Sequence, residues 1–213
     1  MTDPILILGA TSGIGKCAVE EALSRGLPVR AFSRSADKIP MSPNLEIFAG
    51  DALLPGDIAG AVKGVRAIVY ALGIRERLAM LWEDETLFSA STSILLEQMG
   101  IAGVTRLAVV TGYGAGRSKI AMSLIERAGF QMVFRKPYQD KDRQEAMILE
   151  SDTDWTIARP GMLTNGAYSG KYKILRSPKE WRLGMISRRD VASYLIDTIE
   201  KGSELKSDVV LVR

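Results

Sequence analysis

The chain has 213 residues, 46% hydrophobic and 25% charged with a net charge of +3, so it can bury a core, and the disordered, collagen-like and coiled-coil classes are excluded. It holds no histidine and a single cysteine, Cys17, which removes Ser-His-Asp triads, Cys-His dyads, His-dependent zinc sites and intramolecular disulfides and leaves acid–base work to Tyr, Lys, Asp, Glu or water. The charge is too mild to argue for nucleic acid, no apolar run reaches the length of a membrane span, and the Met-Thr-Asp-Pro start is unlike a signal peptide, so a cytoplasmic protein without membrane insertion is expected.

Short apolar runs alternate with helical stretches from end to end, the pattern of an α/β fold: a single domain built as one Rossmann-type doubly wound parallel sheet with helices on both faces. The first predicted strand, Pro4–Leu8, runs into Gly9-Ala-Thr-Ser-Gly13-Ile-Gly15 and a helix over Gly13–Ser24. Strand, glycine turn and helix in that order are the context of a dinucleotide-binding turn. Gly9 lets the chain leave the strand sharply, Gly13 permits close approach of a diphosphate, and Gly15 removes a side chain where helix meets strand. Thr11, Ser12 and Ile14 complete the turn, whose amides and positive helix end face the phosphates. Gly13-x-Gly15-x-x-Ala18 is a competing register, but a turn that begins directly after Leu8 fits Gly9-x-x-x-Gly13-x-Gly15 better.

The second strand, Pro28–Phe32, ends in Ser33-Arg34-Ser35 with no carboxylate before Asp37. An NAD-selective protein commonly places an acid there for the ribose hydroxyls, whereas Arg34 can pair with a 2′-phosphate and Ser33 can hydrogen-bond it. NADP is therefore expected over NAD, the alternative being that Arg34 is a surface loop charge. A third strand, Leu45–Ala49, precedes Gly50-Asp51-Ala52, where Asp51 either accepts from the adenine amino group or caps a turn. After a helix over Gly56–Lys63 and a fourth strand over Ala67–Tyr70, Ala71-Leu72-Gly73 lies where backbone would pass the adenosine ribose.

Farther along, a helix is expected over Glu83–Met99 with Gly100 ending it, then a strand over Arg106–Thr111, helices over Ser118–Ala128 and Tyr138–Ser151, a strand over Trp155–Ala158, a helix over Arg188–Glu200 and a strand over Val209–Val212. Residues 161–187 are the least regular, with short strand character at Tyr172–Leu175, and such a late insertion can cover a ligand crevice. Lys171, Lys173, Arg176, Lys179, Arg182, Arg188 and Arg189 make a basic run that is either a solvated edge or an anion-attracting rim. In the Gly73–Trp82 loop, Met80, Leu81 and Trp82 read as a substrate floor or as core, and Arg75 and Arg77 as contacts to acidic groups or as surface charges.

With these residues in place, the chain resembles the atypical short-chain dehydrogenase/reductase superfamily, in the branch of small NAD(P)-binding proteins that includes NmrA-like proteins and biliverdin/flavin reductases. Asp154-Trp-Thr-Ile-Ala-Arg159-Pro160-Gly161 carries the most specific likeness. The resemblance implies that Pro160, Gly161 and Met162 line the nicotinamide, that Thr111 and Gly112 border the cofactor, and that Lys141, with Glu145 one helical turn later, faces the nicotinamide ribose. The plainer reading of Lys141 and Glu145 is an exposed i,i+4 pair.

The chain departs from the superfamily in two ways. Tyr138 and Lys141 are three apart instead of forming Tyr-x-x-x-Lys, and the serine after the fifth strand is missing, leaving Thr111 or Tyr113 to orient a substrate carbonyl. The catalytic candidates are thus Lys141, Tyr113 and Tyr138. Such a set suits an NADPH-dependent reductase, monomeric or homodimeric, whose small acceptor is conjugated (a flavin, a quinone or a tetrapyrrole) and so needs no strong side-chain acid. The alternative is an NADP(H)-binding redox sensor or assembly factor of NmrA-like type that does not turn over. Sugar-nucleotide epimerisation is disfavoured by the short chain and the incomplete Tyr-x-x-x-Lys.

Overall fold

The computed structural model describes residues 3–73 and 86–213, and within the helix at 124–150 the side chains at 126–127 and 136–150. The expectations for Arg75, Arg77, Met80, Leu81 and Trp82 lie outside the described residues.

Among the described residues eight strands form one sheet in the order β3-β2-β1-β4-β5-β6-β10-β8. They are β1 (Ile5–Leu8), β2 (Val29–Ser33), β3 (Leu45–Ala49), β4 (Ala67–Tyr70), β5 (Arg106–Val110), β6 (Asp154–Pro160), β8 (Lys173–Leu175) and β10 (Ser207–Val212). All pair in parallel except β8, which runs antiparallel to β10. A second, two-stranded parallel sheet joins β7 (Met162–Thr164) to β9 (Met185–Ser187). Among the described residues the α-helices are α1 (Gly13–Ser24), α2 (Pro55–Val62), α3 (Leu87–Ala102), α4 (Leu124–Glu150) and α5 (Arg188–Glu200).

Strand alternation explains the two layers. Ile5 and Ile7 pack with α1 and α5, whereas Leu6 and Leu8 pack with α2, α3 and Ile148 of α4. With both faces covered, every residue of β1 and β4 is buried, which is why these strands read as unbroken apolar runs. Each such aliphatic side chain contributes roughly 1.5–3 kcal/mol of burial. The two helices of the first layer are also joined by Arg25 at the end of α1, whose guanidinium donates to Asp197 at 2.6 Å and to Glu200 at 2.5 Å on α5.

Two helix boundaries differ from the sequence reading. Gly100 does not end α3; the helix continues to Ala102 and stops at Gly103, whose φ of +70° is the left-handed cap that glycine adopts freely. The separate helices expected at Ser118–Ala128 and Tyr138–Ser151 are one helix, α4, preceded by a tight turn at Gly116–Ala121. It opens with a reciprocal cap, the Glu126 amide donating to Ser123 Oγ at 3.3 Å and the Ser123 amide to Glu126 Oε2 at 2.7 Å. Pro137 lies inside α4, where it forgoes a helical hydrogen bond. The next turns are held from outside: Asp140 accepts from the Phe88 and Ser89 amides at 2.8 and 3.3 Å, capping α3 in place of a local side chain, and Gln144 donates to Thr92 Oγ1 at 2.9 Å.

Candidate active site

The strand order reverses between β1 and β4, and in an open α/β sheet the crevice at the carboxyl ends of the strands at such a point is where ligands bind. The glycine turn sits there. Gly9 has a φ of +86°, and a Cβ on it would lie 2.6 Å from the Ala71 carbonyl oxygen at the end of β4; a Cβ on Gly15 would lie 2.2 Å from the Gly9 carbonyl oxygen. At Gly13, φ is +57° and nothing lies within 4 Å of the added Cβ, so this side of the turn faces open space. The first helical bond of α1 runs from the Lys16 amide to Ser12 O at 3.1 Å, which leaves the Gly13, Ile14 and Gly15 amides ahead of it without intrahelical acceptors. The Ser12 side chain does not cap them. An open face, unspent amides and a helix N-terminus fit a diphosphate.

Thr11 Oγ1 and Ser33 Oγ lie 3.1 Å apart, joining the turn to the end of β2. Arg34 follows, exposed and without an ion pair or hydrogen bond among the described residues. Asp51 Oδ1 accepts from the Leu53 amide at 3.0 Å, so the turn-aspartate alternative describes at least this oxygen. Ala52 is a correction: its side chain is buried with Phe32 and Ile58 in the α2–α3 layer, which leaves it almost no exposed surface to offer a cofactor. Ala71 and Leu72 are half-buried at the end of β4, and Gly73 beside them is exposed.

Two strands away, α4 brings Tyr138 and Lys141 to the end of β5. Lys141 Nζ donates to the Thr111 carbonyl at 3.0 Å and stands 4.2 Å from the centre of the Phe88 ring. Burial pulls its pKa down to about 8, against the opposing pull of Glu145 and Asp140. The plain exposed-pair reading of Lys141 and Glu145 is therefore set aside. The Tyr138 hydroxyl would be 2.5 Å from a Cβ on Gly112, so that glycine is required for the tyrosine to sit over β5. Burial, then Glu145, pushes Tyr138 up to about 12, keeping it protonated at neutral pH.

A lysine whose folded-state pKa lies below its unfolded value subtracts stability while it is charged, in full below the folded value and progressively less as pH rises toward the unfolded one. For Lys141 that window runs from about 8 to 10.5. Lys141→Met is accordingly expected to stabilise the fold at pH 7 by about 1–2 kcal/mol, a gain that urea unfolding should find shrinking to nothing above pH 10.5. A constant gain across that range would contradict the lowered pKa of Lys141.

Glu145 belongs to a different group. The fully buried Arg159 of β6 donates from Nε to Glu145 Oε1 at 3.0 Å and from Nη2 to Oε2 at 2.7 Å, and from Nη1 to Asp208 Oδ2 of β10 at 2.6 Å. Thr111 Oγ1 donates to the same Glu145 Oε1 at 2.6 Å. Arg117 adds a second guanidinium to Asp208, whose carboxyl is held below its usual range because these hydrogen bonds and charges outweigh burial. Trp181 covers the Arg159 guanidinium at 5.2 Å. The network locks α4 to three strands, and Lys141 rides one helical turn before its anchor.

Two expectations change here. The Thr111 hydroxyl is spent on Glu145, and the buried Tyr113 donates its hydroxyl to the Ala121 carbonyl at 3.1 Å within a cluster with Met122, Leu175 and Trp181. Each hydroxyl donates its proton to a protein acceptor, so neither is free to donate to a substrate carbonyl. Pro160 is buried and its carbonyl accepts from the Tyr113 amide at 2.9 Å, which ties the ends of β5 and β6 together. A Cβ on Gly161 would meet Gly184 O at 2.1 Å, and Met162 is 53% exposed beside Met185.

The stretch 161–187 is more ordered than its sequence suggests, because β7 and β9 pair and Asp190 holds the loop between them. Asp190 accepts from the Ser169 amide and hydroxyl at 2.8 and 2.9 Å, the Gly170 amide at 3.1 Å and the Ser187 hydroxyl at 2.8 Å. Asp208 and the anchoring role of Arg159 escaped the sequence reading. A charged residue inside the apolar run Trp155-Thr-Ile-Ala-Arg159 was the available signal, since a buried guanidinium requires carboxylates.

The sequence matches the model of a family described as NAD(P)H-binding over residues 9–202. An uncharacterized chloroplastic protein of Arabidopsis thaliana is 27% identical over 207 residues, spanning 93% of this chain and 72% of the relative. Among solved structures, the anaerobilin reductase ChuY of Escherichia coli O157:H7 superposes with a TM-score of 0.81 at 25% identity, over 98% of this chain and 96% of that one. A short-chain dehydrogenase/reductase of Veillonella parvula in complex with NADP gives 0.82 at 16% identity over 100% of this chain and 95% of its own, a likeness of fold alone.

Proposed function

This chain belongs to the NAD(P)H-binding family, and from that premise we propose that it is an NADPH-dependent reductase delivering hydride to a small conjugated acceptor, of the flavin, quinone or tetrapyrrole kind. The carrying observation is Lys141, a half-buried ammonium at the end of β5 with its pKa drawn to about 8, beside hydroxyls already engaged within the protein. A site whose proton source is a tunable lysine, and whose Thr111 and Tyr113 hydroxyls are engaged, suits an acceptor that delocalises electrons. The reduced nicotinamide, when bound, supplies the hydride. The Gly9–Gly15 turn would hold its diphosphate, Ser33 and Arg34 its 2′-phosphate, and Pro160, Gly161 and Met162 its nicotinamide face. Lys141 would bind the ribose hydroxyls and deliver a proton, with Tyr138 as a neutral donor beside it. That ChuY, of matching length, is an anaerobilin reductase supports a tetrapyrrole-like acceptor.

NADPH oxidation in the presence of FMN, quinones or biliverdin-like acceptors tests the reading, and Lys141→Met should remove most of the turnover. The wild-type rate should fall as pH rises through about 8, where Lys141 loses its proton. Arg34→Glu should weaken NADPH by roughly 10–100-fold, the range of a charge-assisted phosphate contact, and leave NADH unchanged; equal losses for both would contradict the 2′-phosphate contact.

A second reading, an NADP(H)-binding redox sensor or assembly factor without turnover, is favoured by the engagement of Thr111 and Tyr113 and would be established by stoichiometric NADPH binding with none of these acceptors reduced. The proposed setting is cytoplasmic, as a monomer or homodimer acting on a small molecule. Among the described residues no helix is long and apolar enough to cross a membrane.

A further inference from the structure

Outside the glycine turn, a cleft of about 420 Å³ opens between the first turns of α1 and α5. Gly13, Lys16, Cys17 and Glu20 line one side and Arg188 and Arg189 the other, with Asn165 at the rim. The four α1 residues fall at helical spacing on one stripe, and the end of that stripe is Gly13, whose missing Cβ leaves open space. The cleft is therefore continuous with the turn that fits a diphosphate.

Its charges are unequal. Three cations face one carboxylate, and that carboxylate is accounted for: Glu20 lies 3.0 Å from Arg189 and 3.9 Å from Lys16. Arg188 is different. It is half-buried, and among the described residues its guanidinium donates only to the neutral Asn165 Oδ1, at 2.8 Å, leaving its charge without a counter-ion. A second helix N-terminus adds to the field, since Arg188 is the first residue of α5. Asp190, two residues on in the same first turn, is engaged by Ser169, Gly170 and Ser187 and does not pair with Arg188.

We infer that Arg188 is a diphosphate clamp: from across the cleft that it lines with Gly13 it binds the anion seated on the glycine turn, and its bond to Asn165 couples coenzyme binding to the loop after β7. The inference rests on the dinucleotide-binding reading above and adds to it a residue outside the glycine motif. A guanidinium is suited to two phosphate oxygens in a way that Lys16, a point charge at a more exposed position, is not.

Arg188→Gln keeps the donor to Asn165 and removes the charge. It should raise the dissociation constants of NADPH and NADH alike by about tenfold, because both share the diphosphate, with the melting temperature unchanged. That equal loss separates it from Arg34→Glu, which should discriminate between the two. An independent readout uses Cys17, the one thiol of the chain and a wall of the cleft: saturating NADPH or NADH should slow its alkylation by iodoacetamide, and the protection should weaken in Arg188→Gln. Unchanged affinity in the variant, or a thiol that reacts at the same rate with and without coenzyme, overturns the clamp while leaving dinucleotide binding in place. Wild-type protein that binds neither coenzyme overturns both readings together.

Discussion

Gly15→Ala is expected to abolish dinucleotide binding, with affinity lost by a hundredfold or more, about 3 kcal/mol. The added methyl would sit 2.2 Å from the Gly9 carbonyl oxygen and 2.7 Å from its carbon, both backbone atoms that no rotamer change can move. Relief requires α1 to withdraw from β1, carrying with it the Gly13–Gly15 amides that face the phosphates. Forcing a methyl into a closed contact costs about 1–3 kcal/mol in most sites, so the variant should fold with a lowered melting temperature and a damaged turn. Gly13→Ala is the informative comparison, since its methyl points into open space and the fold bears only the left-handed backbone strain of about 1–2 kcal/mol. It should melt only a few degrees below wild type and still bind poorly, because the methyl occupies ligand space. Wild-type NADPH affinity in Gly15→Ala, measured by calorimetry, would contradict the placement of the turn.

Arg159→Met should be the most damaging single change to stability. Arg159, Glu145 and Asp208 are buried to 0%, 1% and 6% side-chain exposure, and removing one partner of such a group leaves charge in the interior at a cost of about 3–5 kcal/mol. The protein's whole stability is expected to be only about 5–15 kcal/mol. Glu145→Gln should be nearly as harmful, since it removes one of the two carboxylates of Arg159 and sets an amide N–H donor against its guanidinium. The double variant should recover part of the loss, because the two effects share one interaction. Denaturant unfolding of the three variants provides the measurement, and single losses under about 1 kcal/mol would show that the network is not desolvated as its burial implies. Partly folded Glu145→Gln should also lose coenzyme affinity, for Lys141 is held against Thr111 only while the following turn of α4 is anchored.

These variants mark the boundary of what could be read in advance. The turn between β1 and α1, the alternation that sends Ile5 and Ile7 to one layer and Leu6 and Leu8 to the other, and the bounds of α1 and α5 are local or periodic features, and they are visible in the residues themselves. Gly100 misled because two glycines lie within a few residues and only the backbone shows which one adopts the left-handed cap. The two helices expected where α4 runs are one, since its later turns are held by α3 through Asp140 and Gln144, contacts that no local pattern shows. Tyr113 looked like a substrate-facing hydroxyl because its position after β5 is the expected one, and only the packing of the Gly116–Ala121 turn supplies its acceptor.

The sequence by itself determined a parallel α/β sheet with a phosphate-ready turn and an acid-free end to β2, because nearest-neighbour sterics, helix and strand periods and side-chain charge act over a few residues. Tertiary structure alone decided that Glu145 serves Arg159 while Lys141 stays available, that Asp208 completes the group, and that Arg188 stands across a cleft from Gly13. Those choices depend on which strand lies beside which and on how far each side chain is taken from water. Strand order and desolvation are properties of the assembled core, and no window of the chain contains them.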